Sequence, residues 1–512
     1  RALTASAARA NIKDPQLASL ARQEQDLQRR INTLSELLTG LLSAAPDQQL
    51  PTVQSKIRID IDAFKLQRAS IKNEIEKKFP DYAELVDPKP ANVDRTKKLL
   101  KPDEVLVSWY FGDNVGYVWS ISKDSPVLFR QLSVGKGQIA KEISVLRKSL
   151  DPNVTTIEEI PAFDVALANQ IYQQILAPVE NSLKGKKIML VVPHAELGQL
   201  PLPVLVTKPT AQPAKTGIPF IGYKNVPFLA KDIAVAQIPS VTALTALRSL
   251  PEGDVNRKNF IGFGDPYFSA QQEKQASSQK SMQLATRGLP LALRSAPKTA
   301  GVSSAELALL PRLPDTSLEI EEIAKVIGAD PDDVFLNRKA SVKQVMSMDL
   351  SNRKVLMFST HGLVPGELNG LSQPALALSS PEVTGDSDDG LLTMDRIIGL
   401  KLNADWVILS ACNTASGEGA GSEAVSGLGR AFFFAGTKAL LVSNWPVDSL
   451  ASRQLMTDLF KRQQQNKGLQ KSEALKQAMQ AQIEQGGVKD GATLKYSYAH
   501  PLFWAPFMVV GD

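Results

Sequence analysis

Three short runs limit the fold more than anything else in the chain. "RKVLMF" (353–358), "DWVILS" (405–410) and "KALLVSN" (438–444) are apolar on both faces. They alternate with helical patterns such as "TSLEIEEIAKVIG" (316–328), a stretch from Ser422 as N-cap to Gly436, and a helix starting near Ser449. Strands of that kind between helices predict an α/β fold with a mostly parallel sheet covered on both sides. Each run also ends in polar residues: Ser359-Thr360-His361-Gly362, Ser410-Ala411-Cys412-Asn413, and Ser443-Asn444-Trp445-Pro446-Val447-Asp448. In open α/β sheets ligands collect beyond the carboxyl ends of the strands, so these tails are where chemistry is expected.

The first half reads differently. After Asp14-Pro15, Leu20, Leu27, Ile31, Leu34, Leu38 and Leu41 recur at spacings of seven, four, three, four and three, an a/d seam. Ile57, Ile61, Phe64, Ile71 and Ile75 repeat it less cleanly, which predicts an antiparallel helical hairpin over 13–79. It either packs on the main domain or connects to something upstream; the start at Arg1 instead of Met suggests a processed form or a truncation. "EVLVSWYFGDNVGYVWSIS" (104–122) reads as two strands turning at Gly112-Asp113-Asn114, and "VLFRQLSV" (127–134) as a third. Helical patterns follow near 137–149 and 164–184, then a buried strand in "KKIMLVVPH" (186–194). The Ser-, Gln-, Ala- and Lys-rich stretch 269–304 reads as a mobile insertion. Three parts are expected: 1–94, 95–310 and 311–512.

Hydrophobic content of 43% and charged content of 22% are ordinary for a globular chain. A net charge of +5 over 512 residues gives no case for nucleic acid. No apolar run is long enough to span a bilayer, so no membrane partner is expected and the cytoplasm is the expected compartment. One cysteine excludes an intramolecular disulfide and a cysteine-only metal site. Three histidines, at 194, 361 and 500, give a metal site little support, and no cofactor is expected.

His361 and Cys412 stand at the ends of two such strands. A thiol near pKa 8.5 is a weak nucleophile at neutral pH, and a nearby imidazole generates the thiolate. Gly362 N–H and Cys412 N–H would then make an oxyanion hole. Singly, a lone cysteine is more often a small buried residue and a lone histidine a satisfied polar group. A phosphate loop in "SGEGAGSEA" (416–424) fits poorly: its first glycine comes five residues after Cys412, and Ser422 takes the third glycine's place. Asp448 is also too distant for the ribose ligand.

Longer blocks carry a resemblance. "VLMFSTHG", "DGLLTMDRIIGLKLNADWVILSACNTASGEG", "GLGRAFFFAGTKALLVSNWPVD" and "HPLFWAPFMVVGD" resemble a bacterial CHAT domain, in that order. "IMLVVPHAELGQLPLPVLV", "IGFGDPYF" and "LPRLPDTSLEIEEIAKVIG" extend the likeness over about 95–512. The resemblance implies a caspase-like three-layer sandwich, preceded by a degenerate caspase-like half, of the clan shared by caspases and separase. It implies a cysteine endopeptidase with His361 and Cys412 as the catalytic pair, held inactive until a partner, sensor or upstream helical-repeat domain releases it. "NWPVD" is similar to a separase segment whose Asp binds a basic P1 side chain, which makes Asp448 the candidate S1 residue and Arg or Lys the expected P1. Its spacing from Trp445 is one residue short of separase, and Asp448 is equally suited to cap the next helix. A catalytically silent interaction scaffold on the same fold is the alternative.

Overall fold

The computed structural model describes residues 15–43, 49–79, 92–152, 154–215, 217–248, 250, 253–278, 307–365, 368, 371, 373–410 and 427–511. These fall in two compact units, one within Arg1–Ala91 and Ser249–Pro251, the other within Asn92–Arg248 and Glu252–Asp512. In the first unit α1 (Pro15–Ser43) and α2 (Pro51–Lys78) form the expected hairpin. Ile31, Ile57 and Ile61 are its buried centre, with Leu34, Leu38, Leu41 and Phe64 packed around them. Arg68 donates to Glu24 at 2.7 Å on the far side of that centre, which fixes the antiparallel register.

The second unit is built on β1 (Glu104–Phe111), β2 (Gly116–Ser122), β3 (Leu128–Leu132), β4 (Ile188–Val192), β5 (Ala234–Gln237), β6 (Lys258–Gly264), β7 (Val334–Leu336), β8 (Arg353–Ser359), β9 (Gly362–Leu363), β10 (Ala375–Ala377), β11 (Leu391–Thr393), β12 (Trp406–Leu409), β13 (Ala439–Ser443), β14 (Gly487–Asp490), β15 (Thr493–Ser497) and β16 (Phe507–Gly511). Eleven of these make one sheet in the order β3-β2-β1-β4-β5-β16-β13-β12-β8-β6-β7, while β9, β10 and β11 make a small sheet and β14 pairs with β15. Neighbours in the large sheet are parallel except at β1–β2, β2–β3 and β13–β16.

β16 sets the geometry, being parallel to β5 and antiparallel to β13. The strands β1, β4, β5 and β16 therefore run one way, and β13, β12, β8, β6 and β7 the other. The carboxyl ends of the two halves lie on opposite edges of one sheet.

Helices cover both faces. The longer ones of the second half are α3 (Asp315–Ile327), α4 (Gly427–Ala435), α5 (Ser449–Gln465) and α6 (Lys471–Gln485). Phe358 and Leu409 are register partners and share a face, where Phe432 of α4 meets Phe358 at 5.6 Å. Trp406 lies an odd number of residues from Leu409 and faces the other way, against Phe460 of α5 at 5.5 Å. The structure is the expected three-layer sandwich. The insertion expected over 269–304 opens with a helix at Ala270–Ser278. Residues 279–306 and the expected Ser422 cap lie outside the described residues.

Candidate active site

His361 sits between the end of β8 and the start of β9, and its backbone is fastened on both sides. Ala377 N–H donates to His361 C=O at 2.9 Å, and Thr360 Oγ1 donates to Ala377 C=O at 2.5 Å. The ring is fully buried and meets Phe268 at a centroid distance of 5.5 Å. Nε2 lies 2.8 Å from Pro311 C=O. A carbonyl only accepts, so this contact puts the proton on Nε2 and makes Nδ1 the acceptor nitrogen of the neutral ring. Gly362 pairs with Leu376, and antiparallel alternation turns its own N–H away from β10.

The neighbouring strand arrives beside it. β12 pairs in parallel with β8, Leu409 opposite Phe358, and Ser410 N–H donates to Phe358 C=O at 2.9 Å. Ser410, two residues before Cys412 in sequence, thus lies beside the strand end that leads to His361. Cys412 itself lies outside the described residues.

Two features of this edge were not anticipated from sequence. Glu319 of α3 is fully buried, and its carboxylate accepts from three serines: Ser359 at 2.6 Å, Ser410 at 3.2 Å and Ser452 at 3.0 Å. The signal was present in the helix pattern, because Glu319 falls on the same stripe as Thr316, Ile320, Ile323, Ala324 and Ile327, all buried. A carboxylate on a core-facing stripe needs internal partners. The second feature is a bidentate pair in which Arg312 Nε and Nη2 donate to Asp265 at 2.8 and 2.6 Å, with the guanidinium 5.0 Å over the Tyr267 ring. Burial pushes the Asp265 carboxyl up, and the Arg312 guanidinium opposes that shift. Arg312 follows Pro311 directly, so this pair anchors the carbonyl that orients His361.

With that geometry in hand, the comparison with known families is decisive: the CHAT domain matches residues 165–512. The chain belongs to the CHAT domain family. Tetratricopeptide repeat protein 28 of Homo sapiens is 26% identical over 229 residues, 39% of this chain and 8% of that protein. Its Mus musculus counterpart is 24% identical over 227 residues, 39% of this chain and 9% of that protein. The chain thus spans less than a tenth of these curated relatives. Similar solved structures include the Saccharomyces cerevisiae separase–securin complex, with 10% identity, a TM-score of 0.45, and coverage of 94% of this chain and 37% of that one. The Arg specific cysteine proteinase gingipain R has 10% identity, a TM-score of 0.35, and coverage of 73% and 74%.

Within this CHAT domain the remaining candidates divide. Asp448 is buried, and its Oδ1 accepts from Ala451 N–H at 2.9 Å, so the capping role weighed from sequence is present. His194 and His500 are held by backbone and aromatic rings. His500 Nδ1 accepts from Leu502 N–H at 3.2 Å, Nε2 donates to Pro161 C=O at 3.1 Å, and burial pulls its pKa down to about 3. His194 Nδ1 accepts from Phe111 N–H at 3.1 Å, its ring lies 4.7 Å from that of Tyr110, and burial lowers its pKa. In the acidic stretch "EVTGDSDDG" (382–390), Asp386 pairs with Lys343 at 2.8 Å and Asp389 with Arg396, so two of its four acids are met locally. Among the described residues no group of three or more His, Cys, Asp or Glu is placed to hold a metal, and no described helix is long and apolar enough to cross a membrane.

Proposed function

We propose that this CHAT domain is a cysteine endopeptidase acting through His361 and Cys412. The observation that carries the reading is the fixed His361 ring, with Nε2 committed to Pro311 and Nδ1 the acceptor, at the end of the strand beside the one that leads to Cys412. His361 draws the thiol proton, the thiolate attacks a peptide carbonyl, and the tetrahedral oxyanion is met by the N–H groups of Gly362 and Cys412. His361 then gives its proton to the leaving amine. Water hydrolyses the thioester with His361 as base, which restores the free thiol and releases the acid.

The full burial of His361 supports a restrained state that a partner must open before substrate enters. The relatives named for tetratricopeptide repeats support an upstream helical-repeat domain as that partner. The buried carboxylate of Asp448, one oxygen of which caps α5, supports Arg or Lys at P1 by its negative charge. The division into 1–94, 95–310 and 311–512 stands as part of the same proposal. Peptide-library profiling tests the specificity: basic P1 residues should dominate and the preference should fade in Asp448→Ala, whereas Leu, Met or Asp at P1 would refute it.

A further inference from the structure

At the carboxyl edge of the second half the buried Glu319 carboxylate is met by hydroxyls from three separate segments. Ser359 is two residues before His361, and Ser410 is two residues before Cys412. Ser452 lies in the first turn of α5, four residues after its cap Asp448. We infer that Glu319 is a positioning residue that holds the strand ends preceding His361 and Cys412 and the first turn of the helix capped by Asp448 in one mutual arrangement. Its consequence for catalysis rests on the peptidase reading above; its contacts do not.

Serine makes this a tight constraint. The hydroxyl is one bond from Cβ, so a bond of 2.6–3.2 Å to Glu319 ties each backbone, and not a long flexible side chain, to the carboxylate. An acid with two acceptor oxygens takes all three hydroxyls at once: Ser359 binds Oε2, Ser452 binds Oε1, and Ser410 lies 3.2 Å from both. An apolar side chain there would fill the space and set no register.

The helix is brought close enough by glycine. A Cβ on Gly262 or Gly264 of β6 would come within 2.7 or 2.5 Å of the Ile320 methyl carbons, so the bare β6 backbone lets α3 sit against the sheet and carries Glu319 beneath the strand ends. The same stretch of chain, a few residues upstream, supplies Pro311 C=O to His361. Residues 311–319 therefore set both the ring orientation and the spacing of the segments. A displacement of about 1 Å in a reacting pair costs roughly 100-fold in rate, which is the scale a lost positioning residue should reach.

The single cysteine makes the test direct. Wild type, Glu319→Gln and Glu319→Ala are compared by thermal melting, by the iodoacetamide alkylation rate of Cys412 across pH followed by intact mass, and by the ring N–H signals of 15N-histidine-labelled protein. The expected result is a Glu319→Gln variant that melts near wild type, since an amide still meets hydroxyls, yet alkylates about tenfold more slowly with a displaced pH profile. Glu319→Ala should fall about 100-fold, and the His361 Nε2–H signal should move in both. Folded variants that alkylate with the wild-type rate and pH profile, losing only melting temperature, would overturn the inference. If Glu319→Ala fails to fold, Glu319→Gln decides. If wild-type Cys412 reacts no faster than a free thiol and nothing is cleaved, with or without an activating partner, the peptidase reading fails separately; a His361 signal that moves in Glu319→Gln then still supports the positioning role, and one that stays put overturns it.

Discussion

The two halves of the sheet place a histidine beyond the carboxyl end of a parallel strand, His194 after β4 and His361 after β8. They differ in what the backbone takes from the ring. At His194 a backbone N–H occupies Nδ1, and the ring packs on Tyr110. At His361 a backbone carbonyl accepts from Nε2–H, and Nδ1 is the acceptor nitrogen. The antiparallel step at β16 also puts the two on opposite edges, so they do not share a site. Strand-end position is therefore not enough for chemistry. On the proposed mechanism, the backbone partner of each ring is what distinguishes the candidate base His361 from His194.

Mutating the two rings should give the largest difference. His361→Ala should lower cleavage and Cys412 alkylation by about 10³-fold, while His194→Ala should change either by less than about twofold, both read as initial rates on folded protein. Equal losses would show that the two positions are not different in kind. The next effect lies behind the His361 ring. Arg312→Ala leaves Asp265 buried without its guanidinium and should cost about 3 kcal/mol in denaturant unfolding, with a lower kcat because Pro311 is no longer anchored.

His500 sharpens the contrast by pH. Its ring takes a proton near 6.5 when unfolded but only near 3 when folded, so below pH 6.5 the unfolded chain binds more protons and stability falls as pH drops toward 3. Unfolding at pH 5 should show about 2 kcal/mol less stability than at pH 7.5 from this residue, and His500→Gln should flatten that part of the slope. The smallest expected change is at the α5 cap, where Asp448→Ala should cost about 1 kcal/mol in thermal unfolding.

The central strands were legible because residues apolar on both faces leave few alternatives to a covered sheet, and "VLMF", "WVIL" and "ALLV" all lie where expected. The reversal at β16 was not, since "FMVVG" is apolar on both faces and carries no mark of direction. The helix at Ala270–Ser278 was read as loop because its polar run has no apolar stripe. His361 was legible as a strand-end residue, but its orienting partner is a main-chain carbonyl fifty residues away in sequence, and every residue has one. Glu319 was legible in principle as a charge on a buried stripe. Its three partners were not, because serine marks no particular pairing until the strands are ordered.

Proteome-wide labelling of new protein N-termini with wild type, Cys412→Ala and His361→Ala side by side puts the proposed peptidase activity to the test. New termini following Arg or Lys should appear with wild type and vanish with both variants. The same termini with Cys412→Ala, or none with wild type under any activating partner, would contradict it.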